Sequence, residues 1–395
     1  MKGGFHFYRG DGKGATAYFE EGHHRAEGYY SEHGRSEVLV STWEGGRKMG
    51  ADRPLAGAAL GAWVEGLDPE TRQPKGKVRA PGPGREPLRF VEATMNNPKS
   101  LSVVASQDPA VAKALDALLE RQAEAVSAYF SKVAATRVGP RGAQEEAGGL
   151  RVEVARVHHY SARGGDPHHH VHLMLNMRAR AKDGTWHGLH SAALRSHIRA
   201  LNNLGHRVLM TDAAFAQALA AEGYSLGRDG EIEQARGAVR LLSKRSAQVA
   251  QARTGLEAAW RAAHPGREPS QRLRNGWDHE AWAQGRPGKR PEAPELAAER
   301  WRQELARAGF DFSPGSHRRE RSAGLPPPPL GRAGTSPEAL AEEAVAALSA
   351  QRSAWGAPDL SAAVEAALAR SGLSGAPRSS RPSPTRPGTR PRPAA

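Results

Sequence analysis

Cysteine is absent from the 395 residues of this chain. Its absence excludes disulfide bonds and thiolate metal sites, so any metal ion must be held by histidine, carboxylate or water ligands. No apolar run reaches the length of about 18 residues that a membrane-spanning helix needs, so we expect no membrane insertion. The first residues, MKGGFHFYRGDGKG, lack the apolar core of a secretory signal peptide. The default expectation is therefore a cytoplasmic protein.

Acidic residues are also scarce. The chain has 42 Asp and Glu against 56 Lys and Arg, which gives a formal net charge of +14. A polyanion such as nucleic acid is the natural partner of such a chain, although an arginine-rich composition of the whole proteome would give the same charge. Two enzyme signatures are missing as well. Neither a His-Glu-x-x-His metallohydrolase motif nor a Gly-x-x-x-x-Gly-Lys-Ser/Thr nucleotide loop occurs.

The hydrophobic pattern changes along the chain and divides it into four regions. Alternating and helical patterns fill the first region, whereas the later regions are rich in Pro, Gly and Arg. We predict a first domain over residues 1–260, a linker with one helix and a Pro-rich tract over 261–335, a short helical segment over 336–373, and a disordered Arg/Pro tail over 374–395.

Several local patterns predict individual elements. The stretches LRFVEATM (88–95) and SLSVVAS (100–106) are typical of two strands around a turn at 96–98. Apolar spacings of three and four predict a helix over 108–133, with Asp108 as its N-cap. Further predicted elements are a strand in LRVEVARV, helices between 189 and 223 and from about 240, two strands around a turn in 222–233, linker-like chain from 264, a helix over 295–309, and a helix that begins with Ser336 as N-cap and Pro337 in its first turn.

The segment HHYSARGGDPHHHVHLMLN holds six of the seventeen histidines. In a strand, alternate residues share a face. His170 and His172 therefore lie on one face, opposite an apolar set that consists of Val171, Leu173, Leu175 and Met177. A hairpin turn with Gly and Pro connects this strand to the preceding one, so either His158 or His159 must share the face of His170 and His172. Three imidazoles with an open position are typical of a catalytic metal site. The alternative is a histidine-rich turn with accidental nickel affinity.

Three of the seven tyrosines, Tyr18, Tyr29 and Tyr30, fall in the short stretch ATAYFEEGHHRAEGYYSEHG. A tyrosine phenolate can attack phosphorus and form a covalent intermediate, while a histidine-bound metal polarises the phosphate. The alternative is an amphipathic helix with buried aromatic residues.

Taken together, these stretches resemble the relaxase domain of conjugative relaxases of the TrwC/TraI (MobF) type, in the HUH endonuclease superfamily. AYFEEG…YYSEHG is similar to the tyrosine cluster of that family. EATMNNPKSLSV is similar to its Asp-x-Thr-Phe-Ser-x-Pro-Lys-Ser motif, and HHYSARGGDPHHHVHLMLN to its three-histidine motif. The resemblance covers roughly residues 1–255.

The resemblance implies an α/β (α+β) two-layer sandwich, in which a central antiparallel sheet bears the three-histidine metal site and helices pack behind it. It also assigns roles to single residues. The metal ligands would be His159, His170 and His172, which selects His159 over His158. Tyr18 would attack first, Tyr29 or Tyr30 would serve a second strand transfer, and Glu92 would be the carboxylate that orients a ligand histidine or the tyrosine. Lys99 would contact a DNA phosphate or be merely a turn lysine. His168 and His169 fall on variable positions.

The implied function is site- and strand-specific DNA nicking at a plasmid transfer origin, with a divalent metal ion (Mg, Mn or Zn) as cofactor. The implied partners are single-stranded DNA, accessory relaxosome proteins, a coupling protein and a helicase in trans. Residues 336–373 resemble the start of a helicase region, so the chain would be a stand-alone relaxase or a truncated product. The alternatives are a rolling-circle replication initiator or transposase with the same chemistry, and a catalytically inactive DNA-binding remnant.

Overall fold

The computed structural model describes residues 4–23, 38–77, 86–140, 143–162, 164–283, 294–318 and 336–371. Within these residues the strands are β1 (Phe5–Tyr8), β2 (Val38–Glu44), β3 (Arg47–Lys48), β4 (Arg53–Leu55), β5 (Phe90–Asn96), β6 (Thr136–Val138), β7 (Glu145–Ala147), β8 (Arg151–Ser161), β9 (Pro167–Arg180) and β10 (Trp186–Gly188). The helices are α1 (Gly12–His23), α2 (Gly57–Val64), α3 (Lys99–Ala105), α4 (Pro109–Val133), α5 (Ser191–Arg195), α6 (Ile198–Thr211), α7 (Ala213–Ala221), α8 (Lys244–Ala263), α9 (Gln271–Ala283), α10 (Pro294–Arg307), α11 (Pro337–Ser349) and α12 (Ala357–Ser371).

One antiparallel sheet forms the centre of the fold. Its strand order is β1-β5-β9-β8-β2-β3, with β10 paired to β9 and β4 paired to β2. The long hairpin of β8 and β9 lies in the middle, as the alternating pattern and the Gly-containing turn predict. Strands β6 and β7 form a separate two-stranded ribbon.

Helix α4 packs behind one face of the sheet. Its N-cap is Asp108, whose side chain accepts hydrogen bonds from the backbone N–H groups of Ala110 and Val111, as predicted. The apolar side of α4 shares a core with inward-facing residues of β8 and β9, among them Val154, Leu173 and Leu175. The predicted α/β fold, with a central antiparallel sheet and helices behind it, is confirmed.

The opposite face of the sheet carries the histidines, and α1 and α2 pack beside them. Phe19 of α1 and Trp63 of α2 are fully buried against Phe90 and Met174. Asn176 Nδ2 donates a 2.8 Å hydrogen bond to the Trp63 carbonyl, which ties β9 to the end of α2. A second, smaller core thus borders the histidine site.

The helices after β10 extend the layer behind the sheet. Helix α6 packs against α4 and is covered by α12. Asn203 donates a 2.7 Å hydrogen bond to the Ala362 carbonyl, and Arg207 forms an ion pair with Glu365. The predicted N-cap Ser336 accepts a hydrogen bond from the N–H of Ala339 at the start of α11. None of the helices in the described part combines the length and the apolar character that a membrane crossing needs.

Three predicted elements differ in the structure. Residues 100–106 were expected to form a strand, but α3 is a helix whose residues from Ser100 to Ala105 are all buried. The serines of this segment alternate with apolar residues as in a strand, but Ser100 and Ser102 are buried and accept hydrogen bonds from the backbone of Ile232 and His169, so they do not mark a solvent face. The stretch 222–233 forms only an isolated bridge between Leu226 and Ile232, and not two strands.

The third difference lies in residues 261–335, where one helix was predicted and the structure describes two, α9 and α10. The residues around α9 are rich in Pro and Gly. This composition is typical of a linker, so the helix between them was not predicted. The proline tract at 326–329 and the tail 374–395 lie outside the described residues. The predicted domain boundaries stay predictions.

Candidate metal centre

Three imidazoles converge on the face of the sheet that borders α1. His159 lies on β8, and His170 and His172 lie on β9. One ligand nitrogen of each ring lies within 4.8 Å of those of the other two. The ring centroids are 4.6 Å apart for His159 and His172, and 4.9 Å apart for His170 and His172. Among the described residues, this is the one group of three that could hold a metal ion.

Strand register explains why His159, and not His158, belongs to the group. In the antiparallel pair, His159 lies opposite His170 and shares its face, whereas His158 lies opposite Val171 on the face of α4. There His158 Nε2 contacts Glu120 Oε1 of α4 at 2.7 Å. Reasoning from the residues alone left both positions open, because the choice depends on which residue of β8 pairs with His170 across the hairpin.

The outer nitrogens of two ligand rings are engaged by the protein. His170 Nδ1 lies 2.7 Å from the carbonyl oxygen of His168, and His172 Nδ1 hydrogen-bonds to Glu92 Oε1. Such partners fix a ring's tautomer and direct the Nε2 atom towards a metal. Burial, with the neighbouring imidazoles of His172 and His168, holds the pKa of His170 well below its usual 6.5, so the ring is neutral at physiological pH. Neutral imidazole is the metal-binding form, and the donor set therefore fits a divalent ion.

Glu92 lies beneath the cluster on β5 and is only 7% exposed. Its Oε1 atom accepts from His172, and its Oε2 atom lies 3.4 Å from His6 Nδ1 on β1. Burial raises the pKa of this carboxyl, but the hydrogen bonds to His172 and His6 outweigh burial and lower the pKa to about 2. Glu92 is thus a carboxylate that bridges two imidazoles.

The other two histidines of the segment lie outside the ligand group. His168 stacks on His170 with ring centroids 4.7 Å apart and contacts Asn96 Oδ1 at 3.0 Å. His169 faces α4, where its Nδ1 lies 3.6 Å from Asp116 Oδ1. Alternation along β9 therefore places His169 on the face of α4, whereas His168 shares the face of the ligands and lies beside them.

Lys99 begins α3 at the edge of the site. Its Nζ atom donates a hydrogen bond to the carbonyl of Pro167, the first residue of β9. Burial lowers the pKa of Lys99 to about 8. This hydrogen bond ties Lys99 to the residue before His168, on the strand that carries two ligands.

The tyrosines are only partly described. Tyr18 belongs to α1, but its side chain lies outside the part that the structure describes, and so do Tyr29 and Tyr30. The next residue, Phe19, is buried, and its ring centroid lies 6.1 Å from that of His172. Helix α1 therefore runs beside the histidine cluster.

Sequence reasoning missed His6. Its side chain is 68% exposed, yet it contacts the buried carboxylate beneath the cluster. The contact arises because β1 pairs with β5 in a register that places His6 opposite Glu92. The alternation in the FHFY stretch of β1 was the available signal, but nothing in it indicates the partner strand.

Comparison with known proteins identifies the fold and the family. Residues 12–308 match the family model described as TrwC relaxase, which is most of the chain. The chain belongs to the TrwC relaxase family. No curated protein matches it. A solved structure of the conjugative relaxase TrwC in complex with oriT DNA, copper-bound, has a TM-score of 0.58 at 19% identity and covers 79% of this chain and 100% of its own.

Two further solved structures agree with this match. A metal-bound TrwC complex with oriT DNA has a TM-score of 0.56 at 20% identity, and covers 79% of this chain and 100% of its own. A TrwC complex with a 27-mer DNA that comprises the recognition hairpin and the cleavage site has a TM-score of 0.56 at 19% identity, with the same coverage. The chain described here is therefore a DNA relaxase of the TrwC family, and the predicted family and fold are confirmed. Its three-histidine cluster could hold a metal ion, as the predicted cofactor requires. The identity of the ion stays open.

Proposed function

We propose that this relaxase nicks one DNA strand at a plasmid transfer origin by tyrosine transesterification, as a step of conjugative DNA transfer. The observation that carries the proposal is the three-histidine cluster beside α1, the helix to which Tyr18 belongs. A metal site next to a tyrosine-bearing helix places a Lewis acid and a nucleophile side by side, as metal-assisted phosphodiester transesterification uses them.

In the proposed reaction, the Tyr18 hydroxyl oxygen attacks a backbone phosphorus. The bond from Tyr18 Oη to phosphorus forms and the bond from phosphorus to the 3′ oxygen breaks. The phenolic proton leaves the tyrosine, and the departing 3′ oxygen takes up a proton to give a 3′-hydroxyl end. One phosphodiester replaces another, so the step is reversible and needs no ATP. Tyr29 or Tyr30 would serve a second transfer.

The other residues would prepare the site. His159, His170 and His172 would hold a divalent ion, which when bound supplies Lewis-acid polarisation of a non-bridging phosphate oxygen. Glu92 would orient the His172 ring and add negative charge behind it. Lys99 would neutralise part of the phosphate charge at the entrance to the site.

Single-stranded DNA is the proposed substrate, because the scissile phosphate must reach a site on a sheet face. The net charge of +14 supplies non-specific affinity for the DNA backbone. The TrwC structures that resemble this chain were solved with oriT DNA, which supports a transfer origin as the target. Accessory relaxosome proteins, a coupling protein and a helicase in trans would complete the machinery.

An oligonucleotide cleavage assay tests the proposal. The purified chain with Mn²⁺ should cut a 3′-end-labelled single strand from its cognate transfer origin and remain attached to the 5′ phosphate, so that the label shifts on a denaturing gel. Tyr18→Phe should bind the same strand with equal affinity and lose the adduct by orders of magnitude, because it keeps the ring and lacks the oxygen. Cleavage into two free ends would contradict the mechanism, and binding without any cleavage by the unaltered chain would indicate an inactive remnant.

A further inference from the structure

The turn between β8 and β9 connects the strand that carries His159 to the strand that carries the other two ligands. Its geometry is not set by the strand ladder alone. The pairing of β8 with β9 becomes irregular between His159 and Ser161, before Ser161 pairs with Pro167. The pair of His159 and His170 is thus the last regular pair before the irregular step, and the chain beyond it needs contacts outside the ladder to fix its course.

Two side chains of α10 hold this turn. The carbonyl oxygen of Gly165 accepts a 2.7 Å hydrogen bond from an Arg300 guanidinium N–H and a 2.8 Å hydrogen bond from Trp301 Nε1. Trp301 is only 3% exposed, and Gly165 has a φ of +76°, a conformation that glycine adopts without strain. We call this group, formed by the Gly165 carbonyl with Arg300 and Trp301, the turn clamp.

A neighbouring contact supports the same turn from α8. Asp166 is 1% exposed, and its Oδ2 atom accepts a 2.7 Å hydrogen bond from the backbone N–H of Lys244, the first residue of α8. The Lys244 ammonium donates to both carboxylate oxygens of Glu304 on α10 at 2.8 and 2.7 Å. Helices α8 and α10 are thereby joined to each other and to the turn.

We propose that Arg300 and Trp301 are positioning residues for the metal site, which act through the Gly165 carbonyl. They lie 135 and 136 residues after Gly165 in the sequence, and neither belongs to the histidine cluster. Fixing the turn keeps His159 at the distance from His170 and His172 at which one ion can bind all three. The inference rests on the three-histidine metal site and is independent of which tyrosine reacts.

Trp301→Phe tests the clamp, because it removes the Nε1 donor and keeps an aromatic ring in the core. Trp43→Phe is a matched control. Trp43 is 5% exposed, and its Nε1 donates a 2.7 Å hydrogen bond to Ser41 Oγ. It pairs with Val152, at the other end of β8 from His159. Both variants lose one buried indole hydrogen bond, but only one of these bonds holds the turn.

The measurement is a Co²⁺ titration of the full chain, followed by the visible absorption of the bound ion, together with thermal melting of the metal-free proteins. Trp301→Phe should bind Co²⁺ about tenfold more weakly, and the double variant that adds Arg300→Gln about a hundredfold more weakly, within the range for residues that orient metal ligands. Both should also change the intensity of the cobalt absorption bands, since the band intensity follows the coordination geometry. Trp43→Phe should lower the melting temperature by a similar amount and leave Co²⁺ affinity and spectrum unchanged.

Three results would overturn the inference, and each would identify a different error in it. Wild-type affinity and spectrum in the double variant would show that the ladder alone positions the ligands, and would leave the metal site intact. Equal losses of Co²⁺ affinity in Trp301→Phe and Trp43→Phe would show that α10 contributes only general stability. Failure of the unaltered chain to bind Co²⁺ would instead refute the metal site itself, and the clamp with it.

Discussion

Replacing Glu92 with Gln removes a negative charge from beneath the metal site and changes little else. Gln has nearly the same volume, and its amide still offers one acceptor oxygen to His172. The substitution removes the charge that strengthens the hydrogen bond to His172 Nδ1. The two residues are only 7% and 5% exposed. Loss of such a partner costs a metal site roughly 10–100-fold in affinity, or about 1.4–2.8 kcal/mol at about 1.4 kcal/mol per factor of ten. We expect Mn²⁺ binding by Glu92→Gln, measured by calorimetry, to weaken by this factor, and nicking at low Mn²⁺ to fall with it.

The chain contains a matched control for this experiment on the other face of the sheet. Glu120 of α4 contacts His158 Nε2 at 2.7 Å, which is also a carboxylate on an imidazole, but one outside the ligand group. Glu120→Gln should therefore leave Mn²⁺ affinity unchanged. If Glu92→Gln binds Mn²⁺ as tightly as the unaltered chain, or if Glu120→Gln weakens binding equally, Glu92 does not act by orienting His172.

Three further predictions concern single side chains. His170→Ala should lose Mn²⁺ binding in calorimetry, because two imidazoles hold a divalent ion poorly, whereas His168→Ala should retain most of it; retention by the first variant would contradict the ligand set. Asp108→Ala should lower the free energy of unfolding by about 1–2 kcal/mol in urea titrations, since it removes the acceptor for two N–H groups at the start of α4, with no change in metal affinity; an unaltered unfolding curve would refute the cap. For single-strand binding by Lys99→Met, the slope of log K against log salt concentration should be smaller in magnitude by about 0.7, the value for one phosphate contact. A slope identical to that of the unaltered chain would make Lys99 a structural lysine only.

Local patterns predicted the parts of the fold that depend on local rules. The alternation in β9 placed Val171 and Leu173 in the core and His170 and His172 on the other face, and the structure agrees. The cap of α4 followed from Asp108 and the proline after it. These features depend on strand and helix periodicity and on hydrogen bonds between near neighbours, so the sequence carries them directly.

Features that depend on pairing between distant segments could not be predicted in the same way. The contact of His6 with Glu92 requires the register of β1 against β5, which no local signal encodes. The clamp of Trp301 on Gly165 joins residues 136 positions apart. Helix α3 was mistaken for a strand because Ser100 and Ser102 are buried against distant backbone groups, so the polar residues do not mark an exposed face. The choice of His159 came from the family's motif and agrees with the observed register.

Mapping the residue that becomes linked to DNA tests the central claim most directly. Trypsin cleaves this chain after Lys13 and Arg25 and again after Arg35, so Tyr18 falls in peptide 14–25 while Tyr29 and Tyr30 fall together in peptide 26–35. After reaction with a short transfer-origin strand, digestion with trypsin and nuclease should leave a nucleotide mass on peptide 14–25, attached through a 5′ phosphate to Tyr18. A nucleotide on any residue other than these three tyrosines, or cleaved DNA with no modified peptide, would contradict a relaxase that works through a covalent tyrosine.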